Sequence, residues 1–331
     1  PIIQDSEEVK CSLTFDRNLA PTSYLTISST QFLCKYESHC FSACSCCDFD
    51  ACDCEMTCPQ NCSCYHDQGW SNNLVDCSGH GQTIIPKIPM DVTELYLDGN
   101  VFPSLDSHAF IGRKNLRSLF LNGSHIEVIQ NRTFHGLGQL RVLHLENNFL
   151  ERLEGFEFQE LEDLQELYLQ QNSISWVNNS TFEGLTQLRV IFLHGNNFVN
   201  FKIWQVFQAA PNLQEVSLHG NEFTCECLFT IAFKEWLDSN RAKIFDLGQI
   251  KCIDQKNSSE LVVVKIFDER NPRCSQSTDL SVRETQKGHE DYLWVIVTAL
   301  GVLTLLTIFS VIGYFWRQSL KVWVHAHCGL R

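Results

Sequence analysis

The chain has 331 residues, with 25 lysines and arginines against 39 aspartates and glutamates for a formal charge of -14, and 17 cysteines. An acidic surface of this kind excludes binding that depends on neutralising nucleic-acid phosphates. Sixteen of the cysteines, an even number, precede an apolar segment near the C-terminus, which points to disulfides in an oxidising compartment.

In chain order, Cys11 and Cys34 come first, 23 residues apart, like the second half of a cysteine cap whose C-x-C partners are missing. The chain begins at Pro1 without a signal peptide despite its exported character. Residues 1–36 are therefore expected to be the end of a truncated upstream domain. Next comes HCFSACSCCDFDACDCEMTCPQNCSC (39–64), nine cysteines in twenty-six residues. Its spacings lack the paired knuckles, fifteen to twenty residues apart, that zinc requires. Cys40, Cys44, Cys46, Cys47, Cys52 and Cys54 crowd a connector, residues 37–57, too short for a core of its own, so crosslinks define it. It reads either as a stiff joint or as a protease-resistant spacer.

Residues 58–90 carry Cys58, Cys62, Cys64 and Cys77 as C-x3-C-x-C-x12-C. Six segments then repeat within residues 91–222: VTELYLDGN (92–100), LRSLFLNGS (116–124), LRVLHLENN (140–148), LQELYLQQN (164–172), LRVIFLHGN (188–196) and LQEVSLHGN (213–221). They fit L-x-x-L-x-L-x-x-N at a period of 24 residues, 25 at the last step, which is the pattern of the leucine-rich repeat. The fold class is an α/β leucine-rich-repeat solenoid with parallel strands on the concave face, disulfide caps and one transmembrane helix. The paired leucines stack between coils, and Asn100, Asn148, Asn172, Asn196 and Asn221 form a column that Ser124 interrupts. Phe110, Phe134, Phe158, Phe182 and Phe207 fill the outer side.

Alternation along each strand turns Tyr96, Phe120, His144, Tyr168, Phe192 and Ser217 to the concave face, in successive coils roughly 4.8 Å apart. An exposed aromatic row suits protein recognition, and it also suits simple ladder packing.

Residues 223–276 carry Cys225, Cys227, Cys252 and Cys274, with Phe233 and Trp236 three apart on a predicted helix facing the last repeat. These cysteine spacings resemble the N- and C-terminal caps of extracellular leucine-rich-repeat proteins. That resemblance implies the pairs Cys58–Cys64, Cys62–Cys77, Cys225–Cys252 and Cys227–Cys274. Sequons at Asn61, Asn122, Asn131, Asn178, Asn179 and Asn257 are glycosylation candidates and agree with a secretory route.

A stalk, residues 277–292, leads to a charge-free run, 293–316, long enough to cross a ~30 Å hydrocarbon core. Glu290 and Asp291 precede it and Arg317 and Lys321 follow, so residues 317–331 are placed inside, the localisation being single-pass at the plasma membrane with the N-terminal part extracellular. Removing the three basic residues beyond Asp291 leaves 22 against 39 acids, or -17, outside. Gly301, Thr304, Thr307 and Val311 share a helical face that either pairs two chains or bonds its own backbone. Cys328, in KVWVHAHCGLR, is a lipidation candidate or the start of a buried edge.

Taken in order, cap, cysteine connector, capped repeats and membrane span resemble the insect Toll receptors, most of all the long receptors of the Tollo and eighteen-wheeler group. The resemblance implies a receptor that binds an extracellular cystine-knot protein of the Spätzle type and signals by receptor association in innate immunity or development. It also implies further repeats upstream and, beyond Arg331, a cytoplasmic TIR domain that engages adaptors. The alternative is a leucine-rich-repeat adhesion protein without signalling. No catalytic triad, Cys/His pair or carboxylate pair stands in a recognisable motif, so an enzyme is not expected, and neither metal nor cofactor is implied.

Overall fold

The computed structural model describes residues 10–11, 22–23, 33–40, 55–67, 69–254, 259–263, 297–317 and 320. Cys44, Cys46, Cys47, Cys52 and Cys54, Asn257, Cys274, the stalk and Cys328 lie outside them, and of Cys11 and Cys40 only the backbone is described. The chain divides into two units, Pro1–Ile266 and Phe267–Arg331.

The first unit is organised by one nine-stranded sheet. Its repeat strands are β6 (Glu94–Tyr96), β7 (Ser118–Phe120), β8 (Val142–His144), β9 (Glu166–Tyr168), β10 (Val190–Phe192) and β11 (Glu215–Ser217), each parallel to the next. Register is in phase throughout, with Leu95, Leu119, Leu143, Leu167, Ile191 and Val216 aligned across it. A three-residue strand cannot bury its own apolar side, so each coil covers the next. The aligned leucines and Leu97, Leu121, Leu145, Leu169 and Leu193 are fully buried, each contributing about 2 kcal/mol of apolar transfer free energy. Phe110, Phe134, Phe158 and Phe182 are buried on the outer side, and Phe110–Phe134 and Phe158–Phe182 stack.

The asparagine column closes the turn after each strand. Asn148 Nδ2 donates to the carbonyls of Leu121 (3.0 Å) and Leu145 (2.9 Å), while its Oδ1 accepts from the amides of Ser124 (2.9 Å) and Ile126 (3.0 Å). Ser124 fills the column rather than leaving a gap, since it is buried and its hydroxyl donates to the Leu97 carbonyl at 3.0 Å. The residue before each column position is left-handed, which explains Gly99, Gly123, Gly195 and Gly220; Asn147 and Gln171 adopt the same backbone at φ 57° and 56°.

Beyond β6 the sheet continues through β5 (Asn73–Asp76), antiparallel β4 (Ser63–His66) and, at its edge, antiparallel β1 (Cys34–Tyr36). Tyr36 is buried against His66 and Trp70, and its hydroxyl donates to Asn73 Oδ1 at 2.8 Å. Burial raises the phenol to about 12; the Asn73 bond opposes this and Asp91 adds to it. Immediately afterwards β2 (Ser38–Cys40) pairs antiparallel with β3 (Glu55–Thr57), so the two ends of the cysteine connector are neighbours.

At the other end, β12 (Phe223–Thr224), β13 (Lys251–Asp254) and β14 (Ser259–Val262) form a small sheet beside helices α1 (Ile203–Val206) and α2 (Cys227–Ser239). Phe233 is fully buried on Phe223, and Trp236 lies 6.3 Å from Phe207, so α2 faces the last coil as its spacing predicts. The disulfides Cys58–Cys64, Cys62–Cys77 and Cys225–Cys252 are formed. Cys227 is also disulfide-bonded.

In the second unit, helix α3 (Val297–Arg317) is 21 residues long and apolar enough to cross a membrane. Thr304 donates its hydroxyl to the Gly301 carbonyl (2.8 Å) and Thr307 to that of Thr304 (2.7 Å), so both bond their own backbone.

Candidate protein-recognition face

The concave aromatic column is a packed strip. Tyr96 stacks on Phe120 at 4.3 Å, Phe120 on His144 at 4.5 Å and His144 on Tyr168 at 4.2 Å, with planes within 14° of parallel. In-phase register brings identical positions to the strand spacing, and flat rings fill that spacing face to face. The row is accordingly less exposed than alternation alone suggests. Tyr96 is buried, at 4%, between Phe120 and the cap strand β5, where Asp76 is its pairing partner. Ser217 is buried outright, and Phe120, His144, Tyr168 and Phe192 are half-buried.

Acids line the strip. The Tyr168 hydroxyl donates to Glu166 at 2.7 Å, His144 Nδ1 meets Glu146 at 2.9 Å, and the Tyr96 hydroxyl reaches Glu94 at 3.5 Å. The two tyrosine pairs each lie two residues apart on one strand, so alternation puts both members on the same face, while Glu146 follows directly on the strand that ends at His144. Burial pushes the Tyr168 phenol far up, aided by its bond to Glu166 and by the charges of Glu166, Glu146 and Glu215. Burial likewise raises Glu94, against its Tyr96 bond and Arg117.

At the C-terminal end the regular stacking stops. Tyr168 and Phe192 meet at 87° with centroids 5.2 Å apart, and Phe192 leans on Phe245 of the cap at 5.5 Å. Phe245 is 59% exposed and extends the strip. It stands outside the repeat period, so pattern reading passes over it. Beside it His194 and His219 stack at 4.6 Å. His194 Nδ1 contacts Ser217 Oγ, and His219 Nδ1 contacts Asp246 Oδ2 at 2.8 Å. Asp246 is buried, and its Oδ2 also accepts the amides of Leu218 and His219.

Burial and His219 lower the His194 pKa from its ordinary 6.5, and Asp246 pulls the other way. A lowered folded pKa means the unfolded chain binds the proton first, so the stability contributed above about 6.5 is lost as pH falls through the folded value. The drop in Tm between pH 7.5 and 5 is therefore expected to be smaller for His194→Gln than for the unsubstituted chain. Equal drops would contradict this.

Of the sequons, Asn61, Asn131 and Asn179 are exposed, while Asn122 on the concave side is half-buried. Asn178 accepts from the amide and hydroxyl of Ser180, leaving Asn179 the freer of the overlapping pair. Cys34 is an exposed free thiol. Among the described residues no group of three or more His, Cys, Asp or Glu side chains is placed to hold a metal ion.

Residues 91–150 and 138–198 match the leucine rich repeat family. Along its whole length the chain is 44% identical, over 348 aligned positions, to Toll-like receptor 7 of Drosophila melanogaster, of which it spans 24%. Among solved structures, that of a TLR13–ssRNA13 complex is similar with a TM-score of 0.44 and 27% identity, over 46% of this chain and 22% of that one.

Proposed function

We propose that this chain, a Toll-like receptor homologue built on leucine-rich repeats, is the membrane-proximal part of a single-pass receptor that binds an extracellular protein through its concave face and signals by receptor association. The observation that carries the reading is the half-buried aromatic strip from Phe120 to Phe192, extended by exposed Phe245. Preassembled aromatic area recognises protein with little further loss of side-chain freedom. The helix α3 supports membrane anchorage, with the repeats outside. The subgroup we infer is that of the long Toll receptors, Tollo and eighteen-wheeler, and the ligand class is the Spätzle-type cystine-knot protein. Adaptor recruitment would fall to a TIR domain beyond Arg331.

The test displays the full chain on cells and measures capture of labelled Spätzle-type cystine-knot proteins by flow cytometry. Tyr168→Ser with Phe192→Ser is expected to weaken capture at least ten-fold at unchanged surface level. Unchanged capture, or no capture by the parent chain, would refute the assignment.

A further inference from the structure

One coil of the asparagine column is built differently. Asn100, Asn148, Asn172, Asn196 and Asn221 each donate to two backbone carbonyls at 2.9–3.1 Å, whereas Ser124 has one proton and gives it to Leu97. The same serine completes the sequon Asn122-Gly123-Ser124, which an asparagine in the column would erase. The turn around it has room. A Cβ at Gly99, Gly195 or Gly220 would meet the neighbouring coil at 3.6 Å or less, but at Gly123 it would meet nothing within 4 Å. The Asn122 side chain is half-buried and has no hydrogen-bond partner among the described residues, unlike Asn178, which Ser180 holds.

The ladder between coils fixes the direction of Asn122. Gly99 donates its amide to the Asn122 carbonyl and Gly123 to that of Glu146, both at 3.0 Å, so the ladder runs on past Phe120. Leu121 between them is fully buried, which turns Asn122 to the side of Phe120. One coil on, Glu146 holds the equivalent place, and its carboxylate reaches His144 at 2.9 Å. This row therefore stands within reach of the rings.

We propose that Asn122 carries an N-linked glycan that covers the Tyr96–Phe120–His144 part of the strip, so that a protein partner is confined to the stretch from Tyr168 to Phe245. Ser124 is fully buried in the finished coil, so attachment precedes closure of that coil. The Asn122 amide nitrogen displaces lipid pyrophosphate from the anomeric carbon of a lipid-linked oligosaccharide: the N–C bond forms, the C–O bond breaks, and the amide gives up one proton. A glycan is bulky and hydrated, and it excludes protein from the surface beside it. The confinement, though not the glycan, rests on the concave face being the recognition face.

The test expresses the full chain behind a cleavable signal sequence in mammalian cells and maps its glycans by peptide-N-glycosidase F digestion in heavy-oxygen water with mass spectrometry. Asn122 should carry the heavy-oxygen label in most molecules, and both Asn122→Gln and Ser124→Asn should lose it. Cover is read by diethylpyrocarbonate on the intact glycoprotein. His144 should react several-fold more slowly than in Asn122→Gln, while His219, four coils away, changes less than two-fold. An unlabelled Asn122, or equal His144 rates, overturns the proposal. Capture of a cystine-knot protein, measured as above, separates it from the reading it rests on. Asn122→Gln should change capture less than two-fold, and a larger gain overturns the confinement. A glycan moved beside Tyr168, by Gln170→Asn with Asn172→Ser in the Asn122→Gln chain, should weaken capture at least ten-fold, with Asn172→Ser alone changing it less than two-fold. If the moved glycan is attached and capture is intact, the concave-face reading and the confinement fall together, and the glycan at Asn122 stands.

Discussion

Asn148→Ala is expected to destabilise the repeat unit by about 4 kcal/mol, lowering Tm by on the order of 10 °C. Its amide serves two carbonyls and two backbone N–H groups at once, in a position 3% exposed. Alanine takes the partner from the Leu121 carbonyl and from the Ser124 and Ile126 amides, in a turn that water reaches poorly, while the Leu145 carbonyl keeps its bond from Asn172 Nδ2 at 3.0 Å; each buried unsatisfied group costs about 1–3 kcal/mol, partly relieved by relaxation. Ser124→Ala, which removes chiefly the bond to the Leu97 carbonyl, should cost only about 1 kcal/mol. Phe149→Ser, next to Asn148 but 51% exposed, should stay within about 0.5 kcal/mol. Calorimetry of the three variants ranks them, and an Asn148→Ala loss below that of Ser124→Ala would show that the column is not what closes the turns.

Tyr36→Ala should release the edge strand β1 from the sheet while the repeats stay folded. The substitution removes a buried ring from His66 and Trp70 together with the hydroxyl that donates to Oδ1 of the fully buried Asn73. A loss of about 3 kcal/mol at this edge corresponds to roughly a hundred-fold faster amide exchange in residues 34–37 and 63–66. Tyr36→Phe keeps the ring and loses only the hydroxyl bond, so about ten-fold is expected. Alkali provides a third arm. With the folded phenol at about 12 against an ordinary 10, the protonated form's contribution is complete below pH 10 and disappears as pH rises through 12. Exchange that is unchanged in both variants would mean that β1 is held by its backbone ladder alone.

The repeats are legible in the sequence because their constraint is local and periodic. A 24-residue period, with two leucines and an asparagine at fixed offsets, dictates strand position, register and the inward face without knowledge of any distant contact. The features that escape it are contacts the period does not encode. Strand β1 joins the sheet through Tyr36 and Asn73, 37 residues apart and in no repeat. Phe245 and Asp246 reach the strip from a cap whose residues follow no pattern. Alternation turns Tyr96 and Ser217 the same way as the rest of the row but cannot foresee their burial, which depends on the cap strand and on His194. The aromatic strip itself was visible, and its acidic lining was equally present in the sequence as Glu94, Glu146 and Glu166, each two residues from its ring.

The pairing of β2 with β3 has a consequence for how such chains diverge. Cys40 and Glu55 are partners across that ladder, so the backbone returns to the rung it left. The distance from strand β1 to the first repeat is set by β1 on β4, and the number of residues between Cys40 and Glu55 does not enter it. Insertions and deletions in that stretch are therefore geometrically silent for the solenoid, and related chains are free to lengthen, shorten or rearrange its cysteines while the repeats keep their alignment.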